Sequence, residues 1–186
     1  MPLVSALVDL CEGTRCLPAR TRPTVAIANS DTPTVQVPYM FAYAGAPWHT
    51  QQLVSQLTRQ WYHPTAAGLP GNDDAGAMSS WYVFAVLGFY PVCLGGGSGG
   101  PKYIIGTPQF PEMTLSLAGG RTLIVKALNV SAVNVYIQSS ELNGVQFSRS
   151  WITHAQVVAG GELRFVMGSA PNFSWGSATG DIPTEC

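Results

Sequence analysis

Residues 68–82 read Gly68-Leu69-Pro70-Gly71-Asn72-Asp73-Asp74-Ala75-Gly76-Ala77-Met78-Ser79-Ser80-Trp81-Tyr82, a glycine-rich turn that leads into a helical pattern. Two adjacent carboxylates, Asp73 and Asp74, stand where that helix is predicted to begin. Apolar residues recur at helical spacing up to Gly88, a residue that commonly ends helices. Because nearly every face of this helix is apolar, we expect it to be buried.

A second helix is predicted upstream, from Pro47 to about Tyr62. Proline suits the first turn of a helix, and Leu53, Leu57 and Trp61 repeat at the spacing of one helix face. A short aromatic helical piece, residues 39–43, precedes it. This half of the chain is therefore predicted to be helical.

From Lys102 onward the period changes from that of helices to that of strands. Gly119-Gly120 and Asn143-Gly144 are hairpin signals, because both central residues of a type I′ turn need positive φ, and Gly160-Gly161 is interpreted in the same way. The predicted fold class is α+β, helices followed by a small antiparallel β-sandwich. The predicted strands cover residues 103–106, 113–117, 122–128, 134–142, 145–151 and 162–167.

The predicted organisation has five parts. Residues 1–28 are poorly defined, residues 29–94 form the helical segment, residues 95–101 form a glycine-rich linker, residues 102–176 form the β-sandwich and residues 177–186 form a tail.

Composition excludes several classes of partner. Nine basic residues against ten acidic ones give a net charge of −1 without a Lys/Arg cluster, which argues against nucleic acid. The longest apolar run, residues 81–94, is shorter than the roughly 20 residues that a membrane helix needs.

Residues 1–10 lack a basic region, so no signal peptide is predicted and the compartment stays open. The four cysteines contain no CxxC pair, which argues against zinc.

The acidic pair has two readings. Either carboxylate could simply cap the helix, accepting hydrogen bonds from its free N–H groups. The same N–H groups would also keep a carboxylate ionised, ready to act as a base or a cation ligand.

A second polar loop, residues 29–36, could face the first, and together they could offer the oxygen ligands that calcium prefers. Trp81 could stack on a sugar or belong to the core.

Whole motifs of the chain resemble the calcium-dependent exo-α-mannosidases of glycoside hydrolase family 92. The resemblance runs from about residue 29 to residue 176. The motifs that carry it are, in order, Val37-Pro38-Tyr39, Tyr43-Ala44-Gly45-Ala46-Pro47-Trp48, Gly68-Leu69-Pro70-Gly71-Asn72-Asp73-Asp74, Trp81-Tyr82-Val83-Phe84, Gly88-Phe89-Tyr90-Pro91-Val92, Tyr103-Ile104-Ile105-Gly106-Thr107-Pro108, Tyr136-Ile137-Gln138-Ser139, Leu142-Asn143-Gly144, Trp151-Ile152-Thr153-His154, Pro171-Asn172 and Trp175-Gly176.

Enzymes of this family consist of an N-terminal β-sandwich followed by an (α/α)6 barrel, and they hydrolyse terminal α-linked mannose with inversion. The resemblance implies that this chain is the C-terminal portion of such an enzyme. It implies Asp74 as the general base, assisted by Asn72 or Asp73. Its implied partners are an α-mannoside glycan and the N-terminal part of the same enzyme, and its implied cofactor is Ca2+. The further site residues expected from it are Trp81 and Gly71 for substrate, and Asp31, Thr32, Gln36 and Asp74 for the metal.

Two differences from the family pattern affect the expected activity. The resemblance implies that the general acid lies upstream of the matched portion. The family's Gly-Asn-Glu-Pro loop reads Ser30-Asp31-Thr32-Pro33, with Thr32 in place of the glutamate. We therefore expect negligible turnover by the isolated chain, and exposed apolar faces around Trp81 and Leu57, because two helices cannot close a barrel.

Two other functions stay open at this stage. The chain could be a non-catalytic remnant whose β-sandwich only packs or binds glycan. It could also belong to another (α/α)-barrel glycosidase or phosphorylase, since these share the order of helices and then sandwich.

Overall fold

A computed structural model describes residues 32–93 and 100–184 of the chain. Its α-helices are α1 (Met40–Tyr43), α2 (Pro47–Trp61), α3 (Ala77–Leu87) and α4 (His154–Ala159), and 3₁₀ segments cover Thr32–Tyr39, Asp74–Gly76 and Ala118–Gly120. The helices predicted around residues 39–43, 47–62 and 78–88 are confirmed. The segment at residues 1–28 and the tail end at residues 185–186 lie outside the described residues.

Helix α4 was not predicted, although its start signal is present in the sequence. The hydroxyl of Thr153 accepts a hydrogen bond from the backbone amide of Gln156, whose side chain accepts one from the amide of Thr153. This reciprocal capping box is worth about 1 kcal/mol to a helix start. The predicted strand over residues 145–151 is correspondingly divided, and α4 follows its second part.

Within the described ranges, eight strands form two sheets. The strands are β1 (Phe89–Cys93), β2 (Lys102–Ile105), β3 (Glu112–Ser116), β4 (Thr122–Leu128), β5 (Tyr136–Leu142), β6 (Val145–Phe147), β7 (Trp151–Thr153) and β8 (Gly161–Gly168). Their order is β1-β2-β7 in one sheet and β3-β4-β8-β5-β6 in the other. The α+β class is confirmed. The sheets are not wholly antiparallel, however, because β4 and β8 run parallel.

The hairpin signals differ in outcome. Asn143-Gly144, with φ of 53° and 77°, makes the predicted two-residue turn between β5 and β6. Gly119-Gly120 lies in the connection between the antiparallel strands β3 and β4, also as predicted. The interpretation of Gly160-Gly161 as a hairpin is wrong, because this pair joins α4 to β8. A Cβ on Gly160 would lie 2.5 Å from the carbonyl oxygen of Thr122, so close approach to β4 requires glycine there.

Strand β1 was not expected, since its residues belong to the predicted helical segment. It pairs with β2 on the far side of residues 94–99, with Phe89 opposite Ile105. The expected linker at residues 95–101 therefore separates two strands of the same sheet. Pro91 lies inside β1, which is an edge strand, where a missing N–H is tolerated.

Two hydrophobic clusters hold the described residues together. The first, the sandwich core, joins side chains of both sheets and includes Phe89, Ile105, Val125 and Phe165. The second, the helical core, packs residues of α1, α2, α3 and the first 3₁₀ segment against Val92 and Ile104. Helix α3 and strands β1 and β2 contribute side chains to both clusters.

The helical core corrects two expectations. Trp81 and Leu57 are each only 3% exposed, so the apolar faces around them do not face solvent. Helices α2 and α3 bury these faces against one another and against the first 3₁₀ segment. Conversely, α3 is not buried on every side, because Val83 is 55% exposed. Within the described ranges 32–93 and 100–184, no helix has the length and apolar character to cross a bilayer.

Candidate functional site

The acidic loop places its two carboxylates in different roles. Asp73 accepts hydrogen bonds at Oδ1 from the backbone amides of Met78 (2.8 Å) and Ser79 (3.0 Å), and at Oδ2 from the Ser79 hydroxyl (2.5 Å). The Ser79 hydroxyl first, and then the Ser79 amide, lower the pKa of Asp73, because both donate to the charged form. Asp73 therefore takes the capping role that was one of the two readings of the pair.

Asp74 is left free by this arrangement. Its side chain is exposed, and no described residue donates a hydrogen bond to its carboxylate. Asp74 begins a 3₁₀ turn in which Ala75 (φ 54°) and Gly76 (φ 74°) both have left-handed backbone, which redirects the chain into α3. A left-handed alanine costs roughly 1–2 kcal/mol, and such strain concentrates at functional sites. The Asp74 carboxylate is available for a proton or a cation.

The second polar loop lies against α3. The indole nitrogen of Trp81 donates a hydrogen bond to the carbonyl oxygen of Val35 at 2.8 Å, which ties the first 3₁₀ segment to the helix that follows the acidic loop. Gln36 is exposed on this segment. Thr32 begins the segment, and Asp31 lies outside the described residues. The second loop therefore contacts the helix that follows the acidic loop, and the facing of the two loops' polar side chains stays a prediction.

Of the two expected substrate contacts, Gly71 is exposed and Trp81 is buried. The Trp81 ring stacks on Tyr62, with centroids 5.5 Å apart, and meets the edge of Tyr39 at 6.5 Å. Within the described part of the chain, Trp81 therefore serves as a packing residue. Asn72 is exposed beside Asp74. The assignment of Trp81 and Gly71 to substrate stays a prediction.

Sequence reasoning missed Tyr62, which lies at this site. Its ring stacks on Trp81 and also on Tyr82, at 5.0 Å from the latter. Burial, together with the nearby Asp73 carboxylate, raises the pKa of Tyr62 well above its usual value, so the phenol stays protonated and able to donate. No spacing signal could have found it, because Tyr62 only follows the last residue of α2.

The donor set fits calcium in type and falls short in number. Calcium takes about six to eight oxygen ligands. In the described part of the two loops, Asp74 offers a free carboxylate, and Asn72 and Gln36 offer exposed amides. The oxygens of Asp73 are already engaged by α3. Over the described residues, no group of three or more His, Cys, Asp or Glu side chains could hold a metal ion.

A family model and a curated relative match this chain in sequence. The model described as "Glycosyl hydrolase family 92 catalytic domain" matches residues 5–169. The match begins well before residue 29, where the resemblance seen in the sequence began. An uncharacterized secreted glycosidase from Arthroderma benhamiae is 33% identical over 154 residues, which are 81% of this chain and 19% of that protein.

Solved structures agree in fold as well as in sequence. A family GH92 α-mannosidase from Bacteroides thetaiotaomicron, solved in complex with mannoimidazole, gives a TM-score of 0.78 at 32% identity, over 84% of this chain and 20% of that one. A family GH92 inverting mannosidase from the same organism gives a TM-score of 0.74 at 39% identity, over 81% and 20%. The chain spans about a fifth of the length of these relatives. Since the family model covers most of its residues, the chain belongs to glycosyl hydrolase family 92.

Proposed function

We propose that this chain is the C-terminal part of a calcium-dependent exo-α-mannosidase that removes terminal α-linked mannose from glycans with inversion. Family membership supports glycoside hydrolysis, and the names of the two bacterial relatives support α-mannose as substrate and inversion as outcome. In this proposal α1, α2 and α3 belong to an (α/α)6 barrel whose other helices lie in the remaining part of the enzyme.

The observation that carries the proposal is the free carboxylate of Asp74. In an inverting glycosidase one carboxylic acid protonates the leaving oxygen while a carboxylate takes a proton from the attacking water, and the two groups stand roughly 6.5–9.5 Å apart. Asp74 is the proposed base, because its oxygens are engaged by no described residue. The water oxygen bonds to the anomeric carbon, the glycosidic bond breaks, and the water proton passes to Asp74.

The neighbours of Asp74 then act as positioning residues. Asp73 uses both oxygens to hold the start of α3, so it fixes the loop and does not share the proton. Ala75 and Gly76 turn the chain so that Asp74 and Asp73 have different surroundings. Asn72 and Gly71, both exposed, are the proposed contacts to the sugar on this loop.

Calcium is the proposed cofactor. Asp74 and Gln36 would hold it, together with Asp31 and Thr32 and with oxygen donors from the rest of the enzyme, since the described donors are too few. The bound ion would supply a fixed positive charge that binds sugar hydroxyls. Asp74 would have to use different oxygens for the ion and for the proton.

The isolated chain is expected to have negligible turnover, because the general acid implied by the family lies outside it. An assay with an aryl α-mannoside, with and without a calcium chelator, tests this expectation. Chelator-sensitive turnover by the purified chain would refute the proposal that a second carboxylate from elsewhere is needed.

A segment exchange tests the role of Asp74 directly. The matching segment of the 39% identical inverting mannosidase is replaced by this chain to give a chimera. The activity of this parent chimera is then compared with that of the same chimera carrying Asp74→Asn. Loss of a general base lowers kcat by about 10²- to 10⁴-fold. We expect that loss for Asp74→Asn, with the melting temperature in chelator unchanged. An Asp74→Asn chimera as active as its parent would end the assignment.

A further inference from the structure

The β-sandwich contains a pocket that the proposed catalytic loop does not use. Its volume is about 320 Å³, near the lower end of the roughly 300–1,000 Å³ of ligand pockets. Its walls come from β5, from β6 with the residue after it, and from the loop that follows β8. The lining residues are Gln138, Ser139, Gln146, Phe147, Ser148, Asn172, Ser174 and Trp175.

One wall is shaped by a β-bulge. The pairing of β5 with β8 shifts between Ile137 and Ser139, so Gln138 is the extra residue on its strand. Bulges re-aim side chains and are frequent beside functional sites. The Gln138 amide nitrogen donates to the carbonyl oxygen of Ala170 (3.0 Å), which fixes its orientation over Gly168.

The loop that follows β8 is held to this bulge by Asn172. Its amide nitrogen donates to the carbonyl oxygen of Gln138 (3.0 Å), and its Oδ1 accepts from the backbone amides of Ser174 (3.0 Å) and Trp175 (3.3 Å). A single side chain thus connects the bulge to the loop. The pocket is preformed, since both walls share these bonds.

An aromatic residue is the most buried member of the lining. Trp175 is 4% exposed, and its indole nitrogen donates to the hydroxyl of Ser140 at 3.0 Å. That hydroxyl donates in turn to the carbonyl oxygen of Phe147 at 2.6 Å. Phe147 itself lines the pocket, so two rigid aromatic rings contribute its apolar surface.

Several polar groups of the lining have no partner among the described residues. They are the hydroxyls of Ser139 and Ser174 and the amide of Gln146. None of the eight lining residues is charged. A carboxylate lies beside the lining, since Asp181 accepts a hydrogen bond from the lining hydroxyl of Ser148 at 2.7 Å. Free hydroxyl and amide groups beside aromatic rings suit a neutral ligand that presents both hydroxyls and C–H faces.

We propose that this pocket binds one neutral sugar unit of a glycan, at a site separate from the Asp74 loop. The two sites rest on different parts of the fold, because Trp175 and Phe147 belong to the sandwich core and Trp81 belongs to the helical core. The ligand class follows from the lining alone. Only the choice of a mannoside as first probe rests on the proposed function.

Titration of the purified chain with methyl α-mannopyranoside tests the proposal, with methyl β-glucopyranoside and glycerol as comparisons. The protein is made in a bacterial host, so that the Asn172-Phe173-Ser174 sequon stays unmodified. Side-chain amide resonances of Gln146 and Gln138 should shift saturably with at least one sugar and not with glycerol. Equal shifts with glycerol, or none with either sugar, would overturn the proposal.

Matched variants locate the binding. Gln146→Ala should weaken sugar binding at least about fivefold by removing a hydrogen bond, and Ser174→Trp should abolish it by filling the pocket. Both positions are exposed and carry no side-chain bond to a described residue, so folding should be preserved, which circular dichroism checks. Gln52→Ala, an exposed glutamine on α2, is the control.

Asp74→Asn separates this proposal from the proposed function. Binding that persists in Asp74→Asn and is lost in Ser174→Trp supports the pocket. Binding that is lost in Asp74→Asn and persists in Ser174→Trp would place the sugar at the acidic loop, overturning the pocket and leaving the catalytic proposal intact.

Discussion

The indole nitrogen of Trp81 and the carbonyl oxygen of Val35 lie 2.8 Å apart in a hydrogen bond that joins the second polar loop to helix α3. Val35 belongs to the loop expected to supply metal ligands, and Trp81 belongs to the helix that follows the acidic loop. Because Trp81 is 3% exposed, this bond is shielded from water. The tryptophan therefore holds the Val35 segment against α3 through this bond and its packing.

Substitution of Trp81 should test that role. Trp81→Phe removes the donor and leaves the Val35 carbonyl without its partner, which costs about 1–3 kcal/mol. Trp81→Ala adds a cavity and should cost about 3–5 kcal/mol. Urea unfolding measures both. Val83→Ala, on the exposed side of the same helix, should stay within about 0.5 kcal/mol of the parent chain. Equal losses at positions 81 and 83 would contradict the packing role.

The Asp73 cap should make stability depend on pH. Its pKa is lowered in the folded chain, so the unfolded chain binds more protons at acidic pH. The stabilisation is present above the unfolded pKa of about 3.9 and is lost as pH falls through the lower folded value. Ser79→Ala removes the largest cause of the shift. We expect it to lower the urea midpoint at pH 6 and to change it less at pH 2.5.

Ser80→Ala is the matched control for that experiment. Ser80 is exposed on the next position of α3, and its hydroxyl bonds to no described residue. Its removal should leave the midpoint unchanged at both pH values. If Ser79→Ala and Ser80→Ala behaved alike, Asp73 would not be held by the Ser79 hydroxyl.

Local patterns predicted α2, α3 and the Asn143-Gly144 turn, because helix period and positive-φ residues act over a few positions. Strand β1 escaped prediction, since its partner β2 lies beyond residues 94–99 and its own sequence includes Pro91. The parallel pairing of β4 with β8 was also not predicted, because the two strands are far apart in the sequence. Its two strands are joined through β5, β6, β7 and α4, and no local signal encodes such a pairing.

The candidate site shows the same limit on a smaller scale. The sequence offered a cap of α3 as one of two readings of the acidic pair, but it could not tell Asp73 from Asp74. Side-chain caps normally reach two or three residues ahead. Asp73 reaches five and six residues ahead, to Met78 and Ser79, because the turn at Ala75 intervenes. Only the backbone path determines which carboxylate is left free.

Gln51 should couple the helices to the sheet. It is 1% exposed on α2, and its Oε1 accepts a hydrogen bond from the backbone amide of Ile137 in β5 at 3.0 Å. Gln51→Leu keeps a similar volume but leaves that buried amide unpaired, which costs about 1–3 kcal/mol. Gln52→Ala, one position on and exposed, should be neutral. Urea unfolding that gave equal stabilities for Gln51→Leu and the parent would show that the coupling is negligible.

Calcium binding by the isolated chain should be weak and should depend on Asp74. The described residues of the two loops offer one free carboxylate, so we expect a Kd near 1 mM, as in weak extracellular calcium modules. At that affinity 10 mM calcium stabilises the fold by about 1.4 kcal/mol through mass action. Differential scanning calorimetry should detect the rise in melting temperature, and 10 mM magnesium should give a smaller one because it demands stricter geometry.

Asp74→Asn should abolish the calcium-dependent rise without changing the melting temperature in chelator, since no described residue bonds to its carboxylate. Asp73→Asn is the informative comparison. It should lower the melting temperature in chelator, because the amide nitrogen that replaces Oδ2 cannot accept a hydrogen bond from the Ser79 hydroxyl. It should keep the rise in melting temperature on adding calcium. The reverse pattern, in which position 73 determines the calcium effect and position 74 determines stability, would exchange the roles of the two carboxylates and remove the ground for Asp74 as the catalytic base.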